Sequence, residues 1–303
     1  MGDKQDLSDK TVSLVLGSGG ARGLAHIGAI RELVNAGAKI ESIAGCSMGA
    51  VVGGIFAAGH LDDYEDWVRG LGQSDVLRLI DWTFSGSGLI KGRKIISKLS
   101  ELVGELDIED LSLDFTAVAV DIDRSKEVWL NRGPLFDAIR ASIAIPGIFT
   151  PHHYMNRNLV DGGLLNPIPV APTLRCMTDL TVVVDVNGPP DPALDADDED
   201  GNKTQTGMMA KLRKFMGIAS GDDNVRKAEL GLLDVMMHSL DTMEAAVTRQ
   251  QLAIFQPDLV ISIPKNACMV HEFHRADEVI ELGAELTRKK IGDHRLPRNG
   301  PTE

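Results

Sequence analysis

Cysteine and long apolar runs are scarce in this chain. Three cysteines occur in 303 residues, Cys46, Cys176 and Cys268, an odd number without the spacing of a metal site. They argue against a disulfide-stapled fold and predict a reducing compartment. The longest weakly polar run, Ala44 to Gly59, is too short and too rich in glycine to span a bilayer. The polar tail at residues 1–10 has no apolar signal-peptide core, so we expect a cytoplasmic protein.

Positive charge is also in short supply. The chain has 31 Lys and Arg against 44 Asp and Glu, a net charge of −13. Nonspecific nucleic-acid binding needs Lys and Arg surfaces, so we expect no nucleic-acid partner. A Walker A string is absent, and a dinucleotide fingerprint that begins at Gly17 fails because Arg22 stands where its third glycine belongs. No calcium-loop pattern occurs, and we expect neither a metal nor a cofactor.

The first sixty residues alternate between strand and helix patterns. Apolar periodicity predicts a strand at Thr11 to Leu16, a helix at Leu24 to Ala36, a strand at Ile40 to Cys46 and a helix at Met48 to Ala58. Strand and helix alternation with short connections predicts an α/β fold with a parallel sheet and right-handed crossovers.

The rest of the chain completes the same pattern. We predict further helices and strands at these positions: a helix at Leu89 to Val103, a hairpin from Asp114 to Asp121 and Lys126 to Asn131, strands at Leu180 to Val186 and Leu259 to Ile263, and helices at Glu229 to Phe255 and Arg275 to Ile291. The predicted organisation is a catalytic core at 11–188, an acidic loop at 189–224, helices and a strand at 225–295 that complete the same domain, and a tail at 296–303.

The segment from Pro189 to Asn224 differs in composition from its surroundings. It opens with turn formers and acidic residues that have little to bury, which predicts a mobile loop. Met208 to Ala219 then mixes three cationic residues with apolar ones. Two interpretations stay open: a surface helix packed on its own domain, or a lid that contacts lipid.

Two glycine-rich turns each follow a predicted strand, GSGGARG at 17–23 and GCSMG at 45–49. The first supplies free backbone N–H groups at a helix N-terminus, which attract negative charge. In the second, Gly45 and Gly49 leave room for neighbouring backbone, as in a nucleophile elbow that presents the Ser47 hydroxyl. Cys46 is the rival nucleophile, but as the last strand residue it should point into the core, where a free thiol is usually inert.

Asp161 is the best candidate for the base that a serine nucleophile needs. It follows an apolar pair and precedes two glycines in NLVDGG, so a partly desolvated carboxylate at a sharp turn could accept the serine proton. The alternative is that Asp161 only forms an Asx-turn. None of the eight histidines lies in a glycine-bounded turn, and we expect His271 and His274 to be ordinary surface residues.

Taken together, GSGGARG, GCSMG and the DGG at 161–163 resemble the patatin-like phospholipases in their bacterial form. IRASIAIPGIFTP at 139–151 also looks like the stretch before that family's aspartate. The resemblance covers residues 11–190 well and the C-terminal third loosely. It implies a three-layer α/β/α sandwich with a mainly parallel central sheet, and a Ser47–Asp161 dyad without histidine.

The resemblance also implies that the first turn is an oxyanion hole. Its donors would be N–H groups around Gly19, Gly20 and Ala21; Arg22, in the family's cationic position, would orient the loop, which ends at Gly23. Ser18 is a departure, because many members have another glycine there.

The sequence therefore predicts a metal-independent serine acyl hydrolase that acts on lipid esters, either phospholipid or lysophospholipid. Its expected partners are the lipid or acyl-ester substrate and, peripherally, the inner membrane surface. Alternatives are a regulatory or adaptor protein on the same fold, an α/β-hydrolase-type esterase with a Ser-Asp-His triad, and a nucleotide-binding module, which the failed fingerprints disfavour. The oligomeric state cannot be predicted.

Overall fold

The computed structural model describes residues 7–8, 10–83, 89–195 and 232–293. Within them, eight strands form one sheet: β1 Thr11–Leu16, β2 Lys39–Cys46, β3 Asp114–Asp121, β4 Lys126–Leu130, β5 His152–Tyr154, β6 Arg157–Asp161, β7 Leu180–Gly188 and β8 Leu259–Pro264. Their order is β5-β6-β3-β2-β1-β7-β8, with β4 paired to β3. The neighbouring strands β3-β2-β1-β7-β8 pair in parallel. The strands β4 and β6 pair antiparallel with β3, and β5 pairs antiparallel with β6. The predicted mainly parallel α/β fold is confirmed.

The helices of the described residues are α1 Ala25–Asn35, α2 Met48–Ala57, α3 Leu61–Arg69, α4 Gln73–Arg78, α5 Arg93–Val103, α6 Leu135–Ser142, α7 Pro192–Asp195, α8 Leu232–Phe255 and α9 Ala276–Asp293. Short 3-10 turns stand at Gly20–Leu24, Ile108–Asp110, Gly162–Leu164, Ala171–Arg175 and Phe273–Arg275. No helix in this part of the chain is long and apolar enough to cross a membrane.

Both faces of the sheet are buried. Leu14 of β1 and its neighbours two residues away belong to the main core, which also contains α1, α2 and α9 side chains. Val15 points to the other face, where it joins Ile168, Val170 and side chains near the end of α8. Because alternate residues of a strand face opposite sides, this division means that the central strands are covered on both sides. The sheet is the middle of three layers.

The backbones of α1 and α9 approach each other closely. Gly28 of α1 lies against the backbone of Ile280, and Gly283 of α9 lies against the backbone of Ala25, so a side chain at either glycine would collide with main chain. This packing attaches the C-terminal helix to the helix that follows the first glycine-rich turn.

The predicted helix at Leu89 to Val103 starts too early: the structure has it from Arg93 to Val103. Gly92 adopts a left-handed conformation with φ of 72°, which interrupts a helix. The Asp81 carboxylate accepts hydrogen bonds from the N–H groups of Gly92 and Arg93 and so fixes the start there. The antiparallel strands β5 and β6 were not predicted, because three to five residues carry too little periodicity.

Most of the predicted acidic loop at 189–224, including Met208 to Ala219, lies outside the described residues. Its described beginning forms the single turn of α7. The predicted domain boundaries stay predictions.

Candidate active site

Ser47 lies in a strained turn between β2 and α2. Its backbone has φ of 52° and ψ of −120°, a conformation that residues other than glycine rarely adopt. The flanking glycines permit the turn: a Cβ on Gly45 would lie 2.6 Å from Ala50 Cα, and one on Gly49 would lie 2.9 Å from Gly17 O. Strain of this kind persists only where surrounding contacts enforce it, and it is characteristic of functional sites.

A second serine holds the strained residue in place. The Ser47 backbone N–H donates to Ser142 Oγ at 2.9 Å, and the Ser142 hydroxyl donates to Val118 O at 2.6 Å. Both contacts are buried, so loss of the Ser142 hydroxyl would leave a buried N–H without an acceptor. Ser142 was not predicted from the sequence, because an isolated serine on a helix carries no local signal.

The pairing register of β3 brings Ser47 and Asp161 together. Val118 pairs with Cys46 at the end of β2, and the next residue, Ala119, pairs with Asp161 at the end of β6. Because β2 and β6 end opposite consecutive residues of β3, the residues at their ends lie close to each other. The structure therefore brings together Ser47 and Asp161, two candidate site residues that are far apart in the chain.

Asp161 is held by its own turn. Its Oδ1 accepts a hydrogen bond from Gly163 N–H at 2.8 Å, and its N–H donates to Ala144 O at 3.0 Å. Gly162 lies against the Val118 carbonyl, where a Cβ would collide. The Asx-turn offered as an alternative is present, and it fixes one carboxylate oxygen. The other oxygen, Oδ2, is buried and has no hydrogen-bond partner among the described residues.

Burial makes Asp161 a stronger base than an ordinary aspartate. Loss of hydration and the nearby charge of Glu244 raise its pKa from 3.8 to about 7, while hydrogen bonding from Ser47, Gly163 and Cys46 works in the opposite direction. A base with a pKa near neutrality is well suited to accept a proton from a hydroxyl. The Ser47 hydroxyl is thus close enough to lower the pKa of the Asp161 carboxyl.

Cys46 is fully buried, as predicted for the last residue of β2. Its Sγ lies 3.8 Å from Asp161 Oδ1. Burial and the neighbouring carboxylates raise the pKa of the thiol well above its usual value. A thiol that stays protonated is a poor nucleophile, which leaves Ser47 as the candidate.

The first glycine-rich turn lies beside this pair, since Gly23 packs against Met48 at the start of α2. The N–H groups of Gly17, Ser18 and Ala21 donate to the carbonyl groups of Val184, Pro167 and Val270, respectively. The N–H groups of Gly19 and Gly20 have no acceptor among the described residues. Of the three predicted oxyanion donors, these two are therefore available, and the Ala21 N–H is engaged elsewhere.

Side chains hold the carbonyl groups on the opposite side of this turn. Arg22 Nε donates to Gly19 O at 3.2 Å, Asn187 Nδ2 donates to Ser18 O at 2.7 Å, and His26 Nε2 lies 2.9 Å from Gly17 O. In a trans peptide the C=O and the following N–H point in opposite directions. A bond to Gly19 O therefore directs the Gly20 N–H, and a bond to Ser18 O directs the Gly19 N–H.

Arg22 and His26 are buried, and burial lowers the pKa of each, that of His26 to about 4. The His26 ring is thus neutral at pH 7, with Nε2 as its donor to Gly17 O. Arg22 contacts the turn at Gly19 O, and its orienting role stays a prediction. Asn187 and His26 were missed, since neither has a motif of its own.

No histidine in the described part of the chain hydrogen-bonds to Ser47 or Asp161. His152 contacts Asp137, His153 contacts Asn158, and His274 contacts Gln73. The described residues likewise contain no group of three or more His, Cys, Asp or Glu side chains that could hold a metal ion. The arrangement offers a hydroxyl, a basic carboxylate and two free N–H donors.

Comparison with known proteins places this geometry in a family context. The family model for patatin-like phospholipase matches residues 14–174. Uncharacterized NTE family proteins of Mycobacterium bovis and Mycobacterium tuberculosis are 38% identical over 94% of this chain and 92% of their own length. Lysophospholipase NTE1 of Pyricularia oryzae is 28% identical over 98% of this chain, which corresponds to 20% of that protein. The solved structure of VipD from Legionella pneumophila aligns with a TM-score of 0.46 and 13% identity over 94% of this chain and 67% of that one.

Proposed function

The chain belongs to the patatin-like phospholipase family, and on that premise we propose that it is a serine acyl hydrolase that cleaves lipid carboxylic esters through a Ser47–Asp161 dyad. The family and its named relatives support lipid hydrolysis in general. The observation that carries the finer proposal is the strained Ser47 beside a buried Asp161 whose pKa is raised to about 7.

The first half of the reaction forms an acyl-enzyme. Asp161 takes the proton from the Ser47 hydroxyl as the oxygen attacks the ester carbonyl carbon. The resulting oxyanion accepts hydrogen bonds from the Gly19 and Gly20 N–H groups and is further stabilised by the positive end of α2. The tetrahedral intermediate collapses, the bond to the leaving alcohol breaks, and protonated Asp161 returns the proton to that alcohol.

The second half releases the fatty acid. Asp161 removes a proton from a water molecule, which attacks the acyl-Ser47 carbonyl and forms a second oxyanion in the same place. Collapse then regenerates the Ser47 hydroxyl with the proton from Asp161. One carboxylate thus serves as base and acid in turn, and no histidine is needed.

The substrate is proposed to be a phospholipid or lysophospholipid, met by peripheral contact at the inner membrane surface of the cytoplasm. To test the function, the protein is incubated with lysophosphatidylcholine micelles and with phospholipid vesicles in the presence of EDTA, and released products are identified by mass spectrometry. We expect free fatty acid from the wild type and none from Ser47→Ala. Release of phosphocholine or phosphatidic acid instead would mean phosphoester cleavage and would reject the proposal.

A further inference from the structure

One side chain from the C-terminal part of the chain reaches the candidate active site. Glu244 of α8 accepts a hydrogen bond from the Ser18 hydroxyl to its Oε2 at 2.7 Å. Its other oxygen, Oε1, lies so close to Gly163 that a Cβ added there would be 2.6 Å away. One carboxyl group therefore touches the glycine-rich turn with one oxygen and the turn of Asp161 with the other.

We propose that Glu244 is a positioning residue for the Ser47–Asp161 reaction: it ties α8 to both catalytic turns and places a second carboxyl group beside the base. The proposal rests on the function proposed above. It also gives a function to the Ser18 side chain, because the Ser18 hydroxyl donates the hydrogen bond that holds the Glu244 carboxyl.

The charges around the two carboxyl groups fit this role. Glu244 faces Asp161 from α8, the Cys46 thiol faces it from β2, and the charge of Glu127 on β4 also acts on that thiol. Burial is the main cause that raises the pKa of Glu244, and the charge of the neighbouring Asp241 raises it further. The Ser18 hydrogen bond and the Arg22 charge lower it. Two carboxyl groups at close range do not ionise independently, and the Glu244 charge makes Asp161 a stronger base.

The Glu244 charge changes the pH range in which Asp161 can act as a base. Desolvation alone raises the pKa of a carboxyl group, and the neighbouring Glu244 charge raises that of Asp161 further. A higher pKa makes Asp161 a better proton acceptor near neutral pH but leaves more of it protonated in mild acid. Glu244 therefore shifts the acid-side decline of activity to higher pH than burial of Asp161 alone would give.

The test compares Glu244→Gln with Asp241→Asn. Glutamine keeps the size of the side chain and an oxygen that can accept from Ser18, but it removes the charge. Asp241→Asn removes the same charge one helical turn away, where the side chain is exposed. The titration of Asp161 is followed by NMR with aspartate labelled at the carboxyl carbon, and its signal is assigned by its loss in Asp161→Asn.

We expect Glu244→Gln to lower the apparent pKa of Asp161 by about one unit and to move the acid limb of kcat/KM by the same amount. Asp241→Asn should move both clearly less, because Asp241 acts on the pKa of Glu244 and not directly on that of Asp161. An unchanged titration in Glu244→Gln, or equal shifts in the two variants, overturns the proposal. Because the titration is read on the carboxyl itself, it tests the role of Glu244 even if ester hydrolysis is absent, a result that would reject the proposed function instead.

Ser18→Ala tests the contact between the two turns separately. If Ser18 and Glu244 act through their hydrogen bond, the double variant Ser18→Ala/Glu244→Ala should lose no more kcat than the worse single variant. Effects that multiply would show that the two residues act independently and would contradict a role for the Ser18–Glu244 hydrogen bond.

Discussion

The elbow that carries Ser47 and the glycine-rich turn beside it reach their geometry by different means. The elbow depends on backbone packed directly against backbone, at Gly45 and Gly49. The glycine-rich turn is held by hydrogen bonds, from its own N–H groups to backbone carbonyl groups and from Arg22 and Asn187 to two successive carbonyl groups of the turn. A side chain added at Gly45 or Gly49 would collide with the main chain and disrupt the elbow. A turn held by several hydrogen bonds can lose one of them and keep its backbone conformation. We therefore expect substitutions of Gly45 or Gly49 in the elbow to abolish activity and substitutions in the glycine-rich turn to reduce it to different degrees.

The largest effect is expected at the nucleophile. Ser47→Ala removes the attacking oxygen and should lower kcat by at least about a thousandfold on short p-nitrophenyl esters. Its melting temperature should stay near wild type, because Ala keeps the same backbone strain. Cys46→Ala is the matched control and should retain most activity; the reverse pattern would make Cys46 the nucleophile.

The next effect is expected at the base. Asp161→Asn keeps the hydrogen bond from Gly163 but cannot accept the serine proton, so kcat should fall about a hundredfold to ten-thousandfold. Alanine variants of His152, His153, His271 and His274 should keep near-wild-type rates. A folded histidine variant as inactive as Ser47→Ala would indicate a triad.

Within the glycine-rich turn, Gly20 should be the most sensitive position. It has φ of 59°, and a Cβ there would lie 2.6 Å from Val270 O. Gly20→Val should displace the donor and cost about 3 kcal/mol in the transition state, measured as kcat. Labelling of Ser47 by a fluorophosphonate should be largely retained. An unchanged kcat would remove this turn from the mechanism.

A smaller effect is expected where a side chain only orients the turn. Asn187→Ala removes the donor to Ser18 O and should lower kcat about tenfold, less than loss of an oxyanion donor itself. Asn187→Asp has the same size but no N–H to donate, and it should be at least as slow. If both variants match the wild type, the turn does not need this support.

The last effect concerns stability and not the rate of reaction. Asp161 has a pKa of about 7 in the folded protein against 3.8 for the ordinary side chain, so folding binds a proton between these values. The shift in the Asp161 pKa therefore does not lower the free energy of unfolding below about pH 4. Above pH 7 it lowers the free energy of unfolding by at most about 4 kcal/mol. Asp161→Asn should melt a few degrees higher than wild type at pH 8 and show no gain at pH 4. A difference in melting temperature that does not vary with pH would mean that burial does not raise the pKa of Asp161.

The contrast between the two regions also explains what the sequence could predict. Ser47 and Asp161 were identified because each sits among glycines next to it in the chain, and such turns leave a local pattern. Asn187, Ser142 and Glu244 reach the site through contacts between distant segments, and their residue types are ordinary where they stand. The helix that begins at Arg93 rather than Leu89 has a similar cause, since Asp81 fixes its start from outside the segment.

Covalent labelling tests most directly whether Ser47 is the nucleophile of a dyad. Wild-type protein is treated with a fluorophosphonate, and the modified residue is located by peptide mass spectrometry, with Asp161→Asn and Ser47→Ala treated in parallel. We expect a single adduct on Ser47 in the wild type, much slower labelling in Asp161→Asn, and none in Ser47→Ala. An adduct on another residue, or equal labelling of wild type and Ser47→Ala, would contradict the assignment of Ser47 as the nucleophile.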